Sequence, residues 1–307
     1  MNQPVVSVSV IAYNSSRYII ETLESIKAQT YPNIELIVSD DKSTDNTVQL
    51  CEDWIAKNKD RFVRTQIIVP EHNTGVSGNC NRASAACQGE WEKGIAGDDK
   101  LLPNCISDFM AYVAEHPDAK LIFGRMTGFG ADKETIEQVL KRFDYSFFSM
   151  TPEQQLHRLL YKGNCLPAPA TFANREYFLN LGIKNDERVA NLEDWAKWIN
   201  YLRAGIKFHF MDKDVVSYRV NSGISVGFPR ESYFQSLAIF RALYIYPEFY
   251  KNGMEEGARL IMEKELNYYR LAKQYHDDFV ALQNSPTFKI GSLIMTPIKW
   301  VQKLIKG

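Results

Sequence analysis

Glu90-Trp91-Glu92-Lys93-Gly94-Ile95-Ala96-Gly97-Asp98-Asp99-Lys100 is the stretch whose reading decides the fold of this chain. A short apolar run stops at Gly97, two adjacent carboxylates follow, and Leu101-Leu102-Pro103 opens the next element. The pattern predicts a strand that ends at a loop carrying Asp98 and Asp99. In an open α/β sheet, that edge is where ligands bind. Adjacent carboxylates repel each other and favour a divalent cation or hydrogen-bond donors between them. Oxygen ligands suit Mg²⁺ or Mn²⁺, which in turn bridge phosphate oxygens. An isolated Asp-Asp is more often a solvated turn, so the meaning of the pair depends on what the rest of the chain brings to the same edge.

Upstream, residues 5–12 are β-branched and apolar with only small serines between, which predicts a buried central strand. It ends at Tyr13-Asn14-Ser15-Ser16. Ile19, Ile20, Leu23 and Ile26 then fall at the spacing of an amphipathic helix over 17–29. A second strand at 34–38 ends in Ser39-Asp40-Asp41, and Ser43 or Thr44 is placed to cap the helix that follows. A third strand, 64–69, runs into Glu71-His72-Asn73-Thr74-Gly75, and residues 76–87 form a small-residue helix. After Asp98-Asp99 come a helix over 103–115 and a strand over 120–126. Alternating strands and helices with short connections mean a mostly parallel sheet with helices on both faces. Tyr13-Asn14, Asp40-Asp41, His72-Asn73 and Asp98-Asp99 all lie at strand C-terminal ends, and together they predict a nucleotide site. The position after the first strand has no glycine fingerprint and no P-loop exists, so the phosphates have no glycine cradle. A metal held by carboxylates is the remaining way to neutralise them.

Composition narrows the class. The 307 residues are 45% hydrophobic and 24% charged, enough to bury a sizeable core, and a net charge of −1 gives no argument for nucleic acid. Five cysteines without a C-x-x-C pair indicate neither a disulfide framework nor a zinc knuckle, and point to a reducing cytoplasm. The N-terminus has no basic segment leading into an apolar signal core, and no run of about 18 apolar residues predicts a transmembrane helix.

The second half is less regular. Residues 128–149 read as a loop with a helix, 152–161 as a helix, Gly163 to Pro169 as a rigid loop and Thr171-Phe172 as a short strand. A short helix covers 175–181. Asn191-Leu192-Glu193-Asp194-Trp195 begins a helix to about 204, and strands cover 207–211 and 215–218 before a polar loop, 219–225. Helices are expected over 233–246 and 254–282. The tail, 288–306, carries Lys289, Lys299, Lys303 and Lys306 among apolar residues and Trp300, with no acid. Such a basic amphipathic segment suits either an anionic membrane surface or packing on the protein.

Over residues 5–225 the chain resembles a family 2 glycosyltransferase with the GT-A fold, of the bacterial surface-polysaccharide type. The resemblance rests on Val10-Ile11-Ala12-Tyr13-Asn14, on Gln29-Thr30-Tyr31-Pro32-Asn33 running to Asp40-Asp41, and on Ser43-Thr44-Asp45. Asn73-Thr74-Gly75, Asn81, Gly97-Asp98-Asp99, Glu193-Asp194-Trp195 and Tyr218-Arg219 complete it, in family order. It implies a catalytic domain over 1–226 and a helical C-terminal region over 227–307. It also implies inverting transfer of a sugar from a nucleotide diphosphate, UDP by family prior, to a hydroxyl of a glycan or lipid-linked acceptor. By position, Ala12, Tyr13 and Asn14 line the nucleobase and ribose pocket, Asp41 contacts the base, and Asn73 and Gly75 belong to the same pocket. Asp98 faces the ribose or the metal, Asp99 ligates Mn²⁺ or Mg²⁺, and Asp194 is the general base with Glu193 beside it. The chain departs from the family pattern at Asn221, where a metal-binding His is common, and at Ala96, the first Asp of the longer D-x-D-D form. Arg219 is either the cation that offers charge to the diphosphate in place of that His or a surface arginine. The rival readings are a nucleotidyltransferase, which lacks its glycine-rich loop here, and a non-catalytic nucleotide- or glycan-binding protein on the same fold. The expected location is cytoplasmic, with the tail reaching the inner face of the cell membrane. A homo-oligomer is left open.

Overall fold

The computed structural model describes residues 3–220, 231–254 and 256–264, with 267, 270 and 274 singly. The chain divides into two compact units, Met1–Pro229 with Ser236–Ile245, and Arg230–Gln235 with Tyr246–Gly307.

The first unit is built on an eight-stranded mixed sheet. In chain order its elements are β1 (Val6–Ala12), α1 (Ile19–Lys27), β2 (Ile34–Asp40), α2 (Thr47–Asn58), β3 (Arg64–Ile68), α3 (Gly75–Ala86) and β4 (Trp91–Ala96). They continue with β5 (Lys100–Leu101), α4 (Cys105–Glu115), β6 (Leu121–Phe129), α5 (Lys133–Leu140), α6 (Pro152–Lys162) and β7 (Thr171–Asn174). Last in the first unit come α7 (Arg175–Leu181), α8 (Glu193–Arg203) and β8 (Phe208–Arg219); α9 (Glu231–Phe240) is divided between the units after Gln235, and α10 (Tyr246–Lys251), after a π-helical turn, belongs to the second. The strand order is β3-β2-β1-β4-β7-β6-β8-β5. The four strands of the β3-to-β4 half are parallel, β6 and β8 pair in parallel, and β7 and β5 run antiparallel to their neighbours. The expected mostly parallel α/β sheet is therefore present, with two antiparallel insertions.

β1 shows why the central strand reads as it does. Val6, Val8, Val10 and Ala12 are buried on one face, while Ser7 and Ser9 are buried on the other. A strand covered on both faces cannot alternate with exposed residues. Each buried hydroxyl instead finds a carboxylate, Ser7 donating to Glu35 and Ser9 to Glu92. The main core lies on the valine face, against α1, α2 and α4, and includes Ile19, Leu23, Leu36, Ile95, Phe109 and Phe172.

Three local expectations are revised. The strands expected at 207–211 and 215–218 are one strand, β8, whose pairing with β6 shifts register near Arg125. The exposed residues Asp212 and Asp214 sit at the irregularity and pair with Arg125 at 2.8 and 3.1 Å, so the charged break marks a bulge rather than a turn. Neither Ser43 nor Thr44 caps α2. The N-cap is Asn46, which makes no side-chain cap bond, and Asp45 just before it accepts from Thr47 N and Oγ1 at 3.0 and 2.5 Å. The pair Lys100–Leu101, expected to lead into a helix, adds β5 against β8.

In the second unit, residues 256–264 are helical, with Arg259 paired to Glu256 and Glu263 at 2.8 and 3.2 Å. The expected basic tail at 288–306, Asn221 and most of the helix expected at 254–282 lie outside the described residues. No helix among the described residues is long and apolar enough to cross a membrane.

Candidate active site

The predicted residues fall into three groups, two at the C-terminal ends of strands and one at the start of α8. The first joins β1, β2 and α3. Asp41 follows β2, and its N–H donates to the Ala12 carbonyl at 2.9 Å. Its carboxylate is buried and accepts from Thr74 N, Thr74 Oγ1 at 2.7 Å and Arg82 Nη2 at 2.9 Å. Burial alone would raise its pKa. The Thr74 donors and Arg82 outweigh burial and hold the carboxyl below its ordinary range. Asn73 donates to the Asp41 carbonyl at 2.9 Å and accepts the Gly75 N–H at 3.1 Å. Gly75 sits at φ +76 and opens α3. Asn14, at φ +49, accepts from Thr44 N at 2.8 Å and gives its own N–H to Ser43 Oγ. The β1 and β2 loops are thereby tied together, and the Tyr13 ring stands half-exposed at the rim.

The second group is Asp98, Asp99 and Arg219. Asp99 is buried; Oδ1 accepts the Arg219 N–H at 2.8 Å, and Oδ2 is buried without a hydrogen-bond partner. Burial and the neighbouring Asp98 charge push its carboxyl up to about 7, against the pull of the Arg219 N–H, Lys93 and the Arg219 charge. The Arg219 guanidinium is held between the rings of Tyr18 and Phe129, at 4.1 and 4.3 Å from their centroids. It also donates to the Asp98 carbonyl and pairs with Glu21 at 2.8 Å. Thr22 Oγ1 anchors the Asp99 carbonyl at 2.7 Å.

The third group is the start of α8. Asp194 Oδ1 accepts the Trp195 N–H at 2.7 Å, and Oδ2 accepts Asn164 Nδ2 at 2.8 Å. The Asn164 Oδ1 in turn accepts Leu166 N at 3.1 Å, which fixes the amide with its donor toward Asp194. Protein crowds both carboxylates, although each keeps some solvent contact. That burial raises both pKa values, while Lys197 and the hydrogen bonds pull in the other direction. Glu193 Oε2 has no hydrogen-bond partner. α3 fixes the segment leading into α8: Ser77 Oγ donates to the Val189 carbonyl and Asn81 Nδ2 to the Asn185 carbonyl, at 3.1 and 3.0 Å.

The chain thus carries a clamped carboxylate after β2, a carboxylate pair past β4 and an oriented carboxylate heading α8, on a mixed α/β sheet. A profile of the family described as "Glycosyl transferase family 2" matches residues 7–181, more than half of the chain. The chain belongs to that family. It is a nucleotide-sugar-dependent glycosyltransferase. GlyG of Streptococcus pneumoniae, a glycosyltransferase, is 24% identical over 71% of this chain and 71% of its own length. WfaP of Escherichia coli, named as a UDP-Glc:α-D-GlcNAc-diphosphoundecaprenol β-1,3-glucosyltransferase, is 27% identical over 71% of this chain and 78% of its own. The crystal structure of residues 1–349 of Staphylococcus aureus TarS with UDP superimposes with a TM-score of 0.58 and 21% identity. That match covers 78% of this chain and 64% of that one, and shows a shared GT-A fold.

Several residues that shape this glycosyltransferase's site escape a sequence reading. Arg82 and Thr74 hold Asp41, and Arg82 also donates to Asn79 Oδ1 at 2.8 Å. The i, i+3 spacing of Asn79 and Arg82 on α3 is a signal that points to them. Lys93 is fully buried on β4, donating to the Gly94 and Pro169 carbonyls at 2.6 and 2.5 Å, with burial lowering its pKa. Nothing in the local sequence marks Asn164, thirty residues from Asp194.

Proposed function

We propose that the enzyme transfers a sugar, with inversion, from a UDP-sugar to a hydroxyl of a glycan or lipid-linked acceptor in surface-polysaccharide synthesis. The observation that carries the reading is the Asp194 carboxylate at the head of α8, oriented by Asn164 and the Trp195 N–H. Burial raises its pKa, which makes it a better base than an exposed aspartate. In the reaction the acceptor oxygen bonds to the anomeric carbon. The bond from that carbon to the diphosphate oxygen breaks with its electron pair, and the acceptor proton passes to Asp194. Glu193, whose pKa burial and the Asp194 charge also raise, keeps a second negative charge off the site below that pKa.

Ala12, Tyr13 and Asn14 would line the base and ribose, with Tyr13 offering an exposed ring, and the Asp41 carboxylate beneath them is kept as an ionised acceptor. Asn73 and Gly75 complete that wall. Asp98 and Asp99 would hold Mn²⁺ or Mg²⁺. The unpartnered buried Asp99 Oδ2 suits a cation that takes its other ligands from water and substrate phosphates. Among the described residues no cluster of three or more His, Cys, Asp or Glu provides a full protein cage. When bound, the metal supplies charge stabilisation to the departing diphosphate. Arg219 adds positive potential at the same place and fixes Asp99 through its amide. UDP is supported by the UDP-Glc in the WfaP name and by the UDP complex of TarS, and a lipid-linked acceptor by the diphosphoundecaprenol in the former. A peripheral position at the membrane rests on the basic tail at 288–306.

The deciding experiment is Asp194→Asn. Transfer should fall about 10²–10⁴-fold, with UDP still raising the melting temperature as in the parent. Unchanged turnover removes Asp194 as the base. For the tail, a chain cut after Asn284 should lose co-sedimentation with anionic vesicles, and retention excludes the tail as the anchor.

A further inference from the structure

On the sheet face opposite the main core, β1, β4 and β7 floor a pocket of about 250 Å³, walled by α3, α7 and α8. Three features mark it as built for a ligand. First, Arg175 and Lys197 line it, and the Arg175 Nε is buried without an acceptor. Among the described residues neither side chain has a carboxylate within 4.0 Å. A buried guanidinium donor without an acceptor is costly unless an anion completes it, and Lys197, which also lies near Glu193 and Asp194, brings a second cation to the same wall. Second, Glu92 on the floor accepts Ser9 Oγ at 2.8 Å and Ser84 Oγ at 2.6 Å. It is thereby fixed as an acceptor with lone pairs left for hydroxyl donors.

Third, Gly94 lies in the interior of β4 where nothing in the protein requires a glycine. Its φ is not in the left-handed region, and a Cβ there would meet only Ser9 Oγ, at an ordinary 3.6 Å. A glycine weakens a strand and often marks close approach of a ligand. The space it leaves opens into the pocket.

We propose that this pocket binds a small phosphate monoester bearing hydroxyl groups, with Arg175 and Lys197 on the phosphate and Glu92 on a hydroxyl. The lining sets Arg175, Lys184 and Lys197 against Glu92, an excess of positive charge that a phosphate monoester, with about 1.5–2 negative charges at neutral pH, balances better than a single carboxylate. At roughly 30 Å³ per water the pocket holds about eight waters, a space that suits a molecule of about ten non-hydrogen atoms. Lys197 is three residues beyond Asp194 on α8 and its charge favours the ionised Asp194, so an occupant would bear directly on the base.

The test is thermal unfolding of the full chain with sn-glycerol 3-phosphate, in saturating UDP and Mg²⁺ so that the donor site is filled, against chloride of equal ionic strength. The expected result is a saturable rise of a few degrees, weakened about 10–100-fold in Arg175→Gln. Gly94→Val keeps both cations but fills the floor, and should abolish the rise. Acetate should bind at least about tenfold more weakly. A rise no larger than in chloride, or one that survives in both variants, overturns the proposal, and equal binding of acetate overturns the phosphate assignment. The UDP shift recorded beforehand reports on the donor site alone, so its failure leaves the pocket standing.

Discussion

Replacing Asn164 with leucine should move the acid limb of the pH–kcat/KM profile upward by about 1–2 units. The Asn164 Nδ2 donates to Asp194 Oδ2 at 2.8 Å and stabilises the ionised carboxylate. A hydrogen bond to a charged group contributes about 1.5–3 kcal/mol, and about 1.36 kcal/mol corresponds to one pKa unit. Burial already raises the Asp194 pKa; removing a bond that lowers it raises it further, so a larger share of the enzyme is protonated and inactive at neutral pH. The Trp195 N–H still holds Oδ1, so activity should recover toward the parent value as pH rises. The assay is release of UDP from whichever UDP-sugar stabilises the fold, measured across pH 5–9 in roughly constant ionic strength. Because kcat/KM reports the free enzyme, the profile reads the state described here. Asn164→Gln, which keeps an amide donor, should restore part of the shift. An acid limb that stays where it is in the parent refutes the reasoning, and so does a loss of equal size at every pH, which would mean Asp194 is displaced rather than retuned.

Arg82→Met should destabilise the fold by about 1.5–3 kcal/mol at neutral pH, because it removes a charged donor from the buried Asp41 carboxylate and leaves it the Thr74 donors. Asp41 has a lowered folded pKa, so its contribution is present above the ordinary carboxylate pKa and lost as pH falls through the folded value. Urea unfolding at pH 7 and pH 3 should therefore show a smaller gap at pH 3. Gly89→Ala should cost about 1–3 kcal/mol, since a Cβ would lie 2.7 Å from Ser7 N and the Val5 carbonyl. Gly94→Ala, inside β4, should stabilise the ligand-free fold by about 0.5–1 kcal/mol. Matched signs in urea unfolding would contradict the packing argument. Asp99→Asn should abolish any Mn²⁺-dependent part of the thermal shift given by UDP while leaving the metal-independent part; an unchanged metal dependence excludes Asp99 as the ligand.

Much of the site is legible in the chain because strand ends announce themselves. Apolar runs that stop at Asp40-Asp41 or at Gly97-Asp98-Asp99 locate the sheet edge, and the period of the apolar residues assigns the helices between them. The buried serines of β1 are legible only in part. Their small size fits a covered strand, but their carboxylate partners, Glu35 and Glu92, come from other strands.

The sequence by itself determined the α/β alternation, the edge on which the site lies and the carboxylates that crowd there, because each of these follows from local periodicity and residue chemistry. Only the tertiary structure decided the antiparallel insertions of β5 and β7, since strand order depends on which faces remain to be covered. It alone decided that Asp41 is clamped by Thr74 and Arg82, that Arg219 is held between Tyr18 and Phe129, and that Asn164 orients Asp194. A carboxylate's protonation and aim are set by burial and by donors that arrive through space, from elements thirty to more than a hundred residues away, and no local pattern encodes them.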